Sequence, residues 1–193
     1  MIVSMKEILA DAVKGNYAVG GFNCASLESA MGAIRASEEL GIPFVLQHAP
    51  AHEKYIPLAV AGPIMIQLAR AAKTPVAVHL DHGDSIEVCL RALAMGFTSV
   101  MFDGSALPYE ENMKATAFVA KTAHALGATT EAELGSMPHN FNGELKEYTP
   151  EDFYTKPDEA AQFVQTTGVD ALAISFGTVH GVYKTTPRLS FGV

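Results

Sequence analysis

Carboxylates and imidazoles stand in this chain where apolar runs stop. Asp81 and His82 follow Val76-Ala77-Val78-His79-Leu80. Asp103 follows Val100-Met101-Phe102, Glu131 and Glu133 alternate with Ala132 and Leu134, and His180 lies just beyond Ile174-Ser175-Phe176 beside Gly181. Imidazole nitrogen and carboxylate oxygen together suit zinc or a similar divalent ion. A lone carboxylate beside them suits acid–base work. Each residue taken singly has a plainer explanation. An Asp-His pair can sit at the surface, Asp103 can cap a helix, the two glutamates can form structural ion pairs, and His180 can be an ordinary loop histidine. Their shared position at strand ends is the informative feature.

The elements that would bring them together follow from periodicity and punctuation. Ser4 and Glu7 form a capping box ahead of Met5, Ile8, Leu9, Ala12 and Val13 at helical spacing, and Gly15 ends that helix. Strands are expected over 17–23, 42–47, 76–81, 98–102, 128–134 and 170–176. Helices are expected over 26–40, 59–72, 85–95, 108–126 and 157–166, with Asp84 and Glu87 boxing the third and Pro108 at the first position of the fourth. The run Ile42 to Gln47 lacks polar alternation, as in a strand covered on both faces. Residues 135–156 form the longest irregular stretch, and a connection of that length is usually functional or mobile.

Strands alternating with helices predict a parallel sheet, either an open doubly wound sheet or a (β/α)8 barrel. Both place ligands at the carboxyl ends of the strands. No Gly-x-Gly-x-x-Gly follows the first strand, which weighs against a nucleotide-binding open sheet. In a parallel sheet His82, Asp103, Glu133 and His180 share one rim, and Asp81 points to the other side of its strand end. Glu131 and Glu133 are two apart and share a face. Charge on the inner face of a buried parallel strand is costly unless paired or metal-bound.

Composition narrows the function further. The chain has 193 residues, 49% of them hydrophobic, enough for a single domain over 1–193 with no linker in sight. Its net charge of -8 and scattered Lys and Arg argue against a nucleic-acid or anionic-membrane surface. No signal peptide is read at the N-terminus, and the stretch 56–69 is too short and broken to span a membrane. Cys24 and Cys89 read as reduced thiols of a cytoplasmic protein. The expected strands contain no lysine, so a strand-borne Schiff-base lysine is not expected. His79 reads as a packing or supporting residue, and His48, His52, His124 and His139 as surface or supporting ones.

Four motifs, in order, resemble the class II, zinc-dependent fructose- and tagatose-bisphosphate aldolases. They are His79-Leu80-Asp81-His82-Gly83, Met101-Phe102-Asp103, Glu131-Ala132-Glu133-Leu134-Gly135 and Gly177-Thr178-Val179-His180-Gly181. Gly21-Phe22-Asn23-Cys24 is similar to that family's first strand. The resemblance implies a (β/α)8 TIM barrel of which about the first six β/α units are here. It implies His82 and His180 as zinc ligands, with Asp103 and Glu133 holding a second or alternative position for a divalent or monovalent cation. It implies Asp81 as the proton carrier on the aldehyde half, and Asn23 and Gly181 as contacts to the dihydroxyacetone-phosphate half. A small phosphorylated sugar is then the substrate and zinc the cofactor, and a homo-oligomer is expected.

The resemblance also marks departures. The family's third zinc histidine and its phosphate loop belong to strands 7 and 8, beyond the motifs found here. Where the family often has a serine after strand 2, this chain has Ala49. The loop after strand 5 lacks the family's Gly-x-Glu-Asp-like motif, leaving Glu144 or Glu147 to move a carbon-bound proton. Little turnover is therefore expected of these 193 residues alone. A non-catalytic, cation-binding or associating chain of the same lineage and a metal-dependent epimerase are the alternatives.

Overall fold

The computed structural model describes residues 1–135, 154–178, 186–187 and 189–191. Six parallel strands are hydrogen-bonded in sequence order, β1 (Gly21–Asn23), β2 (Phe44–His48), β3 (Val76–Gly83), β4 (Ser99–Phe102), β5 (Thr129–Leu134) and β6 (Ala171–Ile174). A doubly wound sheet reverses its strand order at a switch point. This order never reverses, which settles the choice of architecture in favour of the barrel type: the six strands make a half-barrel. Between successive strands run α2 (Leu27–Leu40), α3 (Leu58–Ala71), α4 (Ile86–Met95), α5 (Tyr109–Ala125) and α6 (Pro157–Thr167), while α1 (Met5–Gly15) precedes them all.

The two faces of the sheet are built differently. Phe44, Leu46, Val76, Val78, Leu80, Val100 and Phe102 point outward and are buried against Ile34, Met65, Ile66, Leu93 and Val119 of the helix layer. Each such aliphatic or aromatic side chain stabilises the fold by roughly 1.5–3 kcal/mol. The alternate residues point inward. Low on that face α1 packs Met5 and Ile8 against Val45 and Ala77. Its capping box is complete, because Ser4 N donates to Glu7 Oε2 at 2.8 Å and Glu7 N to Ser4 Oγ at 3.3 Å. Asp170 ties α1 to the far strands, accepting from Lys6 Nζ at 2.8 Å, from the backbone N–H of Thr130 at 3.0 Å and lying 2.8 Å from His124 Nε2. Burial pushes the Asp170 carboxyl up, but these partners outweigh it and hold it below the usual range.

Several expected boundaries shift for local reasons. The first strand is only Gly21–Asn23, although the Gly20 carbonyl still accepts from Val45 N at 2.9 Å. Asn16, at φ 52°, takes the left-handed cap of α1, with Gly15 still helical. Ser85, rather than Asp84, caps α4 by accepting from Val88 N. Pro108 is the residue before α5 rather than its first. The loop after β2 contains a 3-10 turn at Pro50–His52. No helix among the described residues is long and apolar enough to cross a membrane.

Candidate metal centre

The centre begins with an irregularity in β3. His79 pairs with Ser99 and Leu80 with Val100, yet Gly83 pairs with Phe102. Three steps on β3 therefore oppose two on β4, which is a bulge of one residue. His82 sits inside it at φ 49°, in the left-handed region that non-glycine residues adopt uncommonly, asparagine, aspartate and histidine more than others. Simple alternation would aim His82 outward with Val78 and Leu80. The bulge and the left-handed backbone turn it instead toward β4 and β5.

There it meets two carboxylates. His82 Nδ1 lies 2.7 Å from Asp103 Oδ2 and 3.6 Å from Glu133 Oε2. Candidate ligand atoms of His82, Asp103 and Glu133 all lie within 4.8 Å of one another. Asp103 is steadied by Ser105, whose backbone N–H and hydroxyl donate to Asp103 Oδ1 at 3.1 and 2.6 Å. Glu133 is buried, and its Oε2 has no hydrogen-bond partner among the described residues. An orphaned buried carboxylate oxygen facing a second carboxylate and an imidazole fits a cation better than it fits a packed core.

The electrostatics agree. The hydrogen bond to Asp103 raises His82 to about 9, against the opposing effect of burial and with help from the charges of Asp81, Asp103 and Glu133. Burial raises the Asp103 carboxyl, but hydrogen bonds from His82 and Ser105 outweigh it and hold it at about 2. Burial, and then the charge of Asp103, pushes Glu133 up to about 7. Without a cation, protons held by His82 and Glu133 offset the local negative charge.

The neighbouring expected residues also find places. Asn23 Nδ2 donates to Asp81 Oδ2 at 2.6 Å, so Asp81 leans toward β1 while His82 leans toward β5. Adjacent residues thus serve opposite sides of the half-barrel mouth. His180, Gly181, Glu144, Glu147 and His139 lie outside the described residues. His48, expected at the surface or in support, is fully buried at the end of β2, edge-on to His52 with ring centres 5.5 Å apart. Cys24 and Cys89 are buried, and burial raises both thiols, Cys89 to about 12. Neither is a ready nucleophile.

Sequence reasoning misses one supporting residue. Buried Asn112 on α5 donates through Nδ2 to the Glu133 carbonyl at 3.0 Å and accepts from Thr116 Oγ1 at 3.0 Å. A Cβ on Gly104 would collide with Asn112 Oδ1, so the loop after Asp103 packs directly on this amide. Asn112 thereby joins the two segments that carry the carboxylates. A signal exists: 112, 116, 119, 120 and 123 form one buried helical stripe, and a polar residue opens it.

A family model described as Fructose-bisphosphate aldolase class-II matches residues 3–193. The chain belongs to the class II fructose-bisphosphate aldolase family. That is a family of metal-dependent aldehyde-lyases, and the trio His82, Asp103 and Glu133 is a possible site for the metal. The fructose-bisphosphate aldolase of Treponema pallidum is 40% identical over 97% of this chain, which covers 58% of that protein. The fructose-bisphosphate aldolase of Geobacillus stearothermophilus is 39% identical, with 98% of this chain and 66% of its own length covered. Among solved structures, the YdjI aldolase of Escherichia coli K12 superposes with a TM-score of 0.87 at 34% identity, covering 99% of this chain and 66% of that one. The chain thus spans about three fifths to two thirds of the length of these class II aldolases.

Proposed function

We propose that these residues form the N-terminal part of a zinc-dependent aldolase site that reversibly cleaves a ketose bisphosphate, fructose or tagatose 1,6-bisphosphate, to dihydroxyacetone phosphate and an aldehyde. The observation that carries the reading is the convergence of His82, Asp103 and Glu133 at the carboxyl ends of three parallel strands, with Asp81 beside them. His82 is the zinc ligand on β3, with His180 as its proposed companion, and Asp103 and Glu133 serve a second or alternative cation position. A bound divalent ion would polarise the ketone and lower the energy of negative charge developing on its oxygen.

The chain's own residues supply the rest. Aldol cleavage removes the proton from the hydroxyl β to the ketone, and Asp81 is the carboxylate proposed to take and return it. Asn23 holds one Asp81 oxygen at 2.6 Å, which orients the carboxylate and leaves Oδ1 outside that bond. Asn23 and Gly181 are the proposed contacts to the dihydroxyacetone-phosphate half. The phosphorylated sugar is the partner, in a homo-oligomeric cytoplasmic enzyme.

Cleavage belongs to a barrel in which further β/α units accompany these six. The 193 residues alone should turn over far more slowly than the ~10 per second typical of enzymes. The test uses this chain completed by the C-terminal third of the Geobacillus relative. Chelator-sensitive cleavage of fructose or tagatose 1,6-bisphosphate is expected. Asp81→Ala should keep the cation and lose at least about a hundredfold in kcat, the scale of a lost general base. Undiminished cleavage in that variant removes Asp81 from the mechanism. A second reading, a cation-binding chain without catalysis, draws on β1 and β6, each of which pairs on one side only among the described residues. Turnover in the completed barrel alone would favour the first reading.

A further inference from the structure

One layer below the centre, the inward faces of β3 and β5 carry His79 and Glu131, a few residues before His82 and Glu133 respectively. The strands β3 and β5 are separated by β4 and share no backbone hydrogen bond. One imidazole nevertheless links all three. His79 Nδ1 lies 2.8 Å from Ser99 Oγ on β4, and His79 Nε2 lies 3.4 Å from Glu131 Oε2 on β5. The ring is wholly buried and Glu131 is largely so. Ser99 Oγ also donates to Met5 Sδ at 3.7 Å, which anchors the link on α1.

Packing alone gives no reason for this arrangement. A buried polar pair carries a desolvation penalty, and two apolar side chains of similar volume would hold the strands together at least as well. What a polar bridge adds is direction. Nδ1 is held by Ser99, and Nε2, which makes no hydrogen bond among the described residues, faces the Glu131 carboxylate at 3.4 Å, so turning the ring would break the Ser99 bond and part that facing pair. A cation site needs that kind of definition, because its donors must meet at one point and groups behind the ligands decide whether they do.

We propose that His79 and Glu131 are positioning residues for the cation centre: their contact across β4 sets how far apart β3 and β5 hold His82 and Glu133. The inference rests on reading His82, Asp103 and Glu133 as a cation site, and it assigns that site its supporting layer.

The probe is cobalt(II), whose visible ligand-field absorption reports ligand geometry. The unaltered chain should develop a band on cobalt addition, and His82→Ala should lose it. Glu131→Leu should bind cobalt about 10–100-fold more weakly, the range for lost supporting contacts, and with a shifted band, while its far-ultraviolet circular dichroism stays unchanged. Glu131→Gln keeps the shape and a polar group facing the ring, and should restore the band position. Ser99→Ala frees the other end of His79 without touching either carboxylate, and should shift the band in the same way. That variant decides the matter if Glu131→Leu does not fold. Unaltered affinity and band position in Glu131→Leu, or in Ser99→Ala where Glu131→Leu does not fold, overturn the positioning role alone. Absence of any band in the unaltered chain removes the cation reading, and the positioning role with it.

Discussion

Divalent-cation affinity of this chain should rise about tenfold for each pH unit between about 7 and 9, and about a hundredfold per unit just below 7. The slope comes from protons that the cation must displace. A metal-bound histidine is neutral and a metal-bound glutamate ionised. In the cation-free chain His82 holds its proton up to about 9, chiefly through its hydrogen bond to Asp103. Glu133 holds its own up to about 7, chiefly through burial. Asp103, held at about 2, gives up nothing in this range. One proton therefore leaves per cation above pH 7 and two below it. From pH 6 to 9 the affinity should change about ten-thousandfold.

The stability of the cation-free chain and the increment that a cation adds to it move in opposite senses as pH rises. A histidine whose folded value lies above its ordinary 6.5 stabilises the fold fully below that pH and loses its contribution as pH rises through about 9. A glutamate raised from 4.5 to about 7 also withdraws stability as pH rises through that window. The cation-free chain should therefore weaken on the alkaline side, while the shift in melting temperature produced by a fixed cation concentration should grow. Chelator-competition titrations across this range check the slope, and an affinity independent of pH between 7 and 9 would contradict it.

Gly83→Ala should damage the fold and the centre together. A Cβ at Gly83 would stand 2.5 Å from the Met101 carbonyl oxygen, 2.7 Å from Cys89 Sγ and 2.9 Å from Leu80 Cδ2. The first of these is backbone of the adjacent strand and cannot swing aside. Relief requires β3 to move off β4, which loosens the bond from Asp103 N to Gly83 O at 2.9 Å. It also draws His82 away from Asp103. Overpacking of this kind costs about 1–3 kcal/mol, or a melting temperature lower by about 3–10 °C at this chain length. Cation affinity should fall about 10–100-fold. Gly32, inside α2, supplies the control, because a methyl group there would meet nothing within 4 Å. Gly32→Ala should be neutral or stabilising by up to about 1 kcal/mol, with unchanged affinity. Equal melting temperatures and equal affinities for Gly83→Ala and the unaltered chain would contradict the steric argument.

The contrast between Glu133 and His82 shows what is legible in the sequence and what is not. Alternation alone puts Glu131 and Glu133 on one face, because β5 is regular and each residue keeps its side. Asp81 and His82 stand out as a functional pair, but alternation sends His82 into the helix layer. The extra residue in β3 and the left-handed φ of His82 depend on how β3 registers against β4, which is not written in local periodicity. His48 reads as a surface or supporting residue because nothing in its own segment shows what packs over the end of β2. The helix ends at Gly41 and Gly96 are legible because their left-handed caps are local. Asn112 escapes notice because its task, holding the Glu133 carbonyl and the Gly104 loop, emerges only when α5 is laid against β4 and β5.

His82, Asp103 and Glu133 are proposed to hold a divalent cation at the mouth of this half-barrel. The most direct measurement is a zinc titration at pH 8 in competition with a colorimetric chelator, run on the unaltered chain and on His82→Ala. One zinc per chain is expected, with affinity lost by at least about a hundredfold in the variant. Stoichiometric binding that His82→Ala leaves intact, or no binding by the folded unaltered chain, would contradict it.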